Sequence, residues 1–211
     1  MPDDPSVDAP AKSAEFYNSG MRQVQASMDS MRLADRLEQL TVHDRFTDDD
    51  KSFIESVDMV FVATADEEGF PDCSYKGGNR GFVKVLSDTS LAIPSYDGNG
   101  QYRTLGNVAV NPAVGLLFVD FGRKKRTRVN GTAELITREQ NNEFVSSFPG
   151  AEAVIVVHLR HAFPNCPRYL HNVATGEPSE FAPAENYAPP EPSWKARDEF
   201  KDAMPKLGEK T

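Results

Sequence analysis

Met59-Val-Phe-Val-Ala-Thr-Ala65 opens the stretch that decides the fold. It is followed by Asp66-Glu-Glu-Gly69, Asp72-Cys-Ser-Tyr-Lys-Gly-Gly78, Gly81-Phe-Val-Lys-Val-Leu86 and Ser90-Leu-Ala-Ile-Pro94. Then come Gln101-Tyr-Arg-Thr-Leu-Gly-Asn-Val-Ala-Val-Asn-Pro112, Val114-Gly-Leu-Leu-Phe-Val119 and Arg126-Thr-Arg-Val-Asn-Gly131. β-Branched and aromatic residues dominate the short apolar runs, and Gly, Asp and Asn punctuate them, which predicts strands joined by turns. The continuous run Val114–Val119 predicts a strand buried on both faces. Gln101–Val110 predicts a short helix, stopped by Asn111-Pro112. Short strands at this spacing, with few long helices between them, favour a closed or partly closed barrel over a parallel sheet.

Working outward, Thr47 is placed to cap a helix over Asp48–Ser56, whose acidic first turn suits the helix dipole. Between Ser13 and about Leu40, Met21, Val24, Met28, Met31, Leu37 and Leu40 recur at helical spacing, predicting one amphipathic helix whose methionines form packing surface. Residues 1–12, rich in Pro, Asp, Ala and Ser, predict a mobile terminus. Thr137 predicts a cap for a helix over 137–148, and Ala153–Leu159 a further strand. The two prolines in His161-Ala-Phe-Pro-Asn-Cys-Pro-Arg-Tyr-Leu-His171 predict a shaped loop. Residues 183–192 read as a Pro/Glu/Ala linker before a short helix around 195–204. Three segments result: an N-terminal extension over 1–47, a domain over 48–182, and a C-terminal linker and helix over 183–211.

Composition narrows the function. A net charge of −9 over 211 residues argues against nucleic acid, which needs a basic face. No apolar run approaches the roughly 18 residues of a membrane span. Two cysteines, Cys73 and Cys166, and no secretory leader predict a reducing, cytoplasmic setting. One Cys beside His158, His161 and His171 has no standard zinc spacing, so no metal site is expected. The cluster Arg123-Lys-Lys-Arg-Thr-Arg128 stands out as either a solvated hairpin tip or a local anion site.

The order strand, hairpin, strand, short helix, Asn-Pro, strand, basic hairpin, strand resembles the flavin-binding split β-barrel of the pyridoxamine 5'-phosphate oxidase superfamily. The resemblance covers roughly residues 48–171 and implies a mainly β fold with flanking helices (α+β). It also implies FMN as cofactor, and a homodimer with flavin at the subunit interface. In the family a Ser-Arg-Lys segment before the Asn-Pro helix holds the phosphate. Here that place reads Tyr102-Arg103-Thr104, so Arg103 is kept while Thr104 supplies only a neutral donor. Arg103 also sits near a helix start, where an anion is favoured; a surface ion pair is its other reading.

Lys76, Gly81, Phe82, Val83 and Lys84 resemble the family's ring-binding strand and preceding loop, where glycine lets backbone approach a flat ligand. Arg126 and Arg128, two apart on a strand, share one face. Arg126 stands where the family carries a glutamine near the flavin, so it can meet the flavin, the phosphate or only solvent. Arg168 and Tyr169 lie in a segment that resembles the C-terminal part of flavin-binding relatives, which implies that they flank the flavin across a dimer interface. The family's C-terminal substrate region is not recognisable, so oxidation of pyridoxamine phosphate itself is not expected. The resemblance implies an oxidoreductase using flavin on an unassigned small molecule. The alternatives are a non-catalytic flavin-binding or sensor module, or a split-barrel reductase using a deazaflavin or haem.

Overall fold

The computed structural model describes residues 16–206. Residues 1–12, expected to be mobile, lie outside that range. The described chain forms two compact units: residues up to Gln39 with those from Trp194 onward, and Leu40–Ser193. No helix among the described residues is long and apolar enough to cross a membrane.

In the smaller unit, the single helix expected from the methionine spacing is two, α1 (Ser19–Ser27) and α2 (Met31–Thr41). The break falls at Asp29, whose φ of 48° lies in the left-handed region that an α-helix cannot carry. Hydrophobic spacing continued across the break, which is why the pattern concealed it. The Tyr17 hydroxyl donates to the Ala34 carbonyl at 3.0 Å, and Arg36 pairs with Asp202 of the C-terminal segment at 3.3 Å.

The larger unit opens with α3 (Asp48–Ser56), whose Thr47 cap forms a reciprocal capping box with Asp50. Seven strands follow: β1 (Met59–Ala65), β2 (Pro71–Gly77), β3 (Lys84–Ser87), β4 (Ser90–Tyr96), β5 (Ala113–Asp120), β6 (Lys125–Thr137) and β7 (Ala151–Pro164). They form one antiparallel sheet in the order β2-β1-β5-β6-β7-β4-β3. Helix α4 (Arg103–Val110) crosses from β4 to β5, and α5 (Arg138–Ser146) follows β6 with Thr137 as its cap. The architecture is an α+β split barrel. β7 runs on to Pro164, so His161–Pro164 belong to a strand rather than to the expected loop. Pro164 is tolerated because it ends the strand, where no further ladder donor is needed.

One face of the sheet holds the main core: Val60 and Val62 of β1, Leu116 and Phe118 of β5, Val129 of β6, and Leu91 and Ile93 of β4. A second cluster, with Val145 and Phe148, covers the reverse face of β4 and β7 through Ala92, Val154 and Val156. The strands buried on both faces are therefore β4 and β7. β5 differs from expectation, because Gly115 and Leu117 are only half-buried. Helix α5 covers the β4–β7 half of the reverse face, whereas Phe61 of β1 and Leu117 of β5 on the other half are half-buried among the described residues.

At the β6 bulge, a Cβ on Gly131 would lie 2.0 Å from the His158 carbonyl oxygen, so only glycine fits this close backbone approach.

Candidate functional site

Alternation along β2 sends Asp72, Ser74 and Lys76 to the face they share with Thr64, Val62 and Val60 of β1, while Cys73 and Tyr75 point to the other. Helix α4 docks on that first face by side-chain hydrogen bonds. Thr104 donates through Oγ1 to Ser74 at 2.9 Å, Asn107 Nδ2 donates to Thr64 at 3.0 Å, and Asn111 Nδ2 donates to the Asp66 carbonyl at 3.1 Å. The first bond holds the start of α4 to the edge strand β2, and the other two hold its middle and C-terminal end to β1 and the turn that follows it.

The result is a cleft of about 320 Å³. Ser74, Tyr75 and Lys76 line one wall, Ser95 and Tyr96 a second, and Gly98–Leu105 the rest. Tyr102 precedes α4 with φ 48° and no side-chain cap, so the first-turn N–H groups lack the partner a capping residue would supply. They and the helix dipole favour an anion there. Arg103 is mostly exposed and lies 3.5 Å from Asp72. Lys76 is half-buried, and loss of solvent pushes its ammonium below the ordinary lysine range, partly offset by Asp72. The cleft thus combines two cations and a helix start, with Asp72 beside Arg103 and Glu152 beside the Tyr102 hydroxyl at 3.3 Å.

Of the residues singled out in the sequence, Lys76, Arg103 and Thr104 meet in this cleft. Thr104 is buried, and its hydroxyl proton is committed to Ser74, leaving its backbone N–H as its contribution to an anion. The cleft lining does not include Gly81, Phe82, Val83 or Lys84. Phe82 and Val83 bury their side chains in the core, so only their backbone is available to a ligand. Gly81 has φ 77°, a turn conformation suited to glycine, and Lys84 is exposed at the start of β3.

Arg126 and Arg128 lie on the reverse face of β6, opposite Val119 and Leu117. Register places Tyr75, Phe61, Leu117 and Arg128 in one row across four strands. Phe61 and Tyr75 make an edge-to-face ring contact at 5.9 Å. Arg126 is partly desolvated, which lowers its basicity, and its Nε is buried without a hydrogen-bond partner among the described residues. Arg168 donates through Nε to the Cys166 sulfur at 3.2 Å, and its guanidinium lies 5.7 Å from the Tyr169 ring.

The basic hairpin tip is docked rather than solvated throughout. Arg123 pairs with Asp120 at 2.6 Å, and the Arg123 and Lys125 cations face the Phe53 ring at 5.6 and 4.7 Å. His158 bonds Glu134 at 3.2 Å on the sheet surface. Asp72, Ser74, Ser95, Tyr96 and Tyr102 had not been singled out as site residues. Gly98-Asn-Gly100 was the local signal for the loop, but nothing local marked the αL conformation of Tyr102.

A family model described as pyridoxamine 5'-phosphate oxidase matches residues 46–164. No curated protein matches the chain. Among solved structures, HupZ of Group A Streptococcus is 21% identical, with 64% of this chain and 98% of that chain covered and a TM-score of 0.45. A structure described as a putative pyridoxamine 5'-phosphate oxidase from Lactobacillus delbrueckii is 22% identical, covering 59% and 99%, with a TM-score of 0.46. The haem storage protein HutZ from Vibrio cholerae is 17% identical, covering 57% and 91%, with a TM-score of 0.36.

Proposed function

Because this chain belongs to the pyridoxamine 5'-phosphate oxidase family, we propose that it is an FMN-binding flavoprotein acting as an oxidoreductase on a small molecule. The observation that carries this reading is the cleft that gathers Arg103, Lys76 and the uncapped start of α4. A phosphate monoester needs such a set of cations and N–H donors. Arg103 supplies a guanidinium fork, and the first-turn N–H groups of Arg103 and Thr104 supply neutral donors. Lys76 adds a second positive charge from the wall.

The ring of FMN is flat, and the glycines at 77, 78 and 81 would let backbone approach it. Bound FMN would supply hydride chemistry at N5, the electronics being the cofactor's own. The protein's part is to anchor the phosphate, orient the ring and limit solvent access.

The reverse-face row Tyr75–Phe61–Leu117 is the surface on which two copies would pair. In that homodimer, Arg126, Arg128, Arg168 and Tyr169 of one protomer complete the flavin site of its partner. Paired guanidiniums near the ring would stabilise the negative charge that accumulates on reduction.

The test is a visible absorption spectrum of the purified protein, with the heat-released ligand identified by mass. Flavin bands and released FMN support the reading. A haem band, a released deazaflavin, or a colourless protein that takes up no added FMN overturns it. Turnover with a reduced nicotinamide then separates an enzyme from a flavin-storing module.

A further inference from the structure

Two hairpin turns of the sheet carry opposite charge. The β1–β2 turn holds Asp66-Glu-Glu-Gly69, and the β5–β6 turn leads through Arg123-Lys-Lys125. β1 and β5 pair antiparallel, with Val60 opposite Phe118 and Ala63 opposite Gly115, so the turns fall at opposite ends of the strands. The eight residues of β5 separate them by roughly 25 Å.

Each turn is braced by its own first carboxylate. Asp66 Oδ1 accepts from the Glu68 and Phe70 N–H groups at 3.1 and 2.8 Å, and Asp120 Oδ1 accepts from the Arg123 N–H at 2.7 Å. Asp120 also pairs with the Arg123 guanidinium, so Lys124 and Lys125 supply that turn's surplus charge. Lys125 lies over the Phe53 ring at 4.7 Å. Glu67, Glu68 and Lys124 are exposed and form no ion pair among the described residues. Rigid turns with unspent charge of opposite sign suit a partner that presents both signs at the same spacing.

A second copy of this chain is such a partner. The row Tyr75–Phe61–Leu117 crosses the reverse face between the two turns, and Leu117 lies near the middle of β5. Two copies paired through this row can take a two-fold axis in either of two directions. An axis along the strands brings acid to acid and base to base. An axis across the strands turns one copy end for end, and each acidic turn then meets the other copy's basic turn. The facing turns are offset sideways by two places in the order β2-β1-β5-β6, roughly 10 Å, or about one Debye length at 0.1 M salt.

We propose that the homodimer is antiparallel, with the acidic β1–β2 turn of each copy facing the basic β5–β6 turn of the other. The contact occurs twice and closes the dimer, and like-charge apposition disfavours the alternative axis. This rests on the reverse-face pairing proposed above, but not on the identity of the cofactor.

The experiment measures the dimer dissociation constant of the full-length protein by analytical ultracentrifugation. It compares wild type, Glu67→Lys with Glu68→Lys, Lys124→Glu with Lys125→Glu, and the chain carrying all four changes, each checked for folding by its melting curve. Each double variant should dissociate about tenfold more readily at low salt, and the chain with all four changes should return close to wild type. These differences should shrink at about 1 M salt. Double variants that dimerise as wild type does, a dimer tightened by one pair of changes, or no recovery with all four overturns the proposal. A wild-type monomer overturns the pairing face as well. If Phe61→Glu dissociates the dimer while the charge reversals do not, the face stands and this axis alone falls.

Discussion

Arg103 Nη2 and Asp72 Oδ1 stand 3.5 Å apart, which sets a carboxylate against the leading cation of the cleft. The same carboxylate acts on Lys76. A phosphate entering the cleft must compete with Asp72 for Arg103 and also tolerate its charge.

Asp72→Asn should therefore tighten the binding of FMN or inorganic phosphate by about tenfold, or roughly 1.4 kcal/mol. Isothermal titration of both variants checks this. Unchanged or weaker binding would mean that Asp72 orients Arg103 rather than competing for it.

The charge on Lys76 gives the cleft a pH dependence. Burial lowers its folded-state value, so the positive charge disappears at lower pH than in an exposed lysine. Phosphate affinity should fall as pH rises through that lowered value, at lower pH than for an exposed lysine, and Lys76→Arg should flatten the profile. The linked stability effect has the opposite sense. The unfolded chain holds its proton longer, so this group's contribution to stability rises with pH until the unfolded lysine also titrates. Affinity measured against pH in both variants decides it.

Gly131→Ala tests the bulge that joins β6 to β7. Its Cβ would lie 2.0 Å from the His158 carbonyl oxygen, and backbone must move to admit it. The expected loss is about 3 kcal/mol in denaturant unfolding. A loss under about 1 kcal/mol would show that the bulge rearranges freely.

The reverse-face row gives the assembly prediction. Phe61→Glu places a charge between Tyr75 and Leu117 on the half-buried face. Light scattering should show the wild-type chain as a dimer and this variant shifted towards monomer, with flavin retention lost alongside. A wild-type monomer, or a variant dimer that keeps its flavin, would contradict the shared site.

How far the sequence reveals these features depends on the range of the interaction involved. β1 and the caps at Thr47 and Thr137 were legible because their signals are local: β-branched runs, and a hydroxyl three residues before its partner. The break at Asp29 was not, because apolar spacing ran through it. Val114–Val119 read as buried on both faces, yet coverage of the reverse face is set by where α5 packs, a tertiary fact. The same holds for the cleft. Arg103 and Lys76 were individually visible, but Asp72 and Ser74 acquire their meaning only when β2 meets α4. Thr104 shows the converse, since its neighbour Ser74 lies thirty residues earlier in the chain and takes its hydroxyl proton.

The most direct test of the central claim is a paired titration of FMN and riboflavin against wild type and Arg103→Ala. If Arg103 and the start of α4 hold the phosphate, FMN binds wild type about a hundredfold more tightly than riboflavin, and the gap narrows to about tenfold or less in the variant. Equal affinity for the two ligands in wild type, or a gap that survives the loss of Arg103, would contradict it.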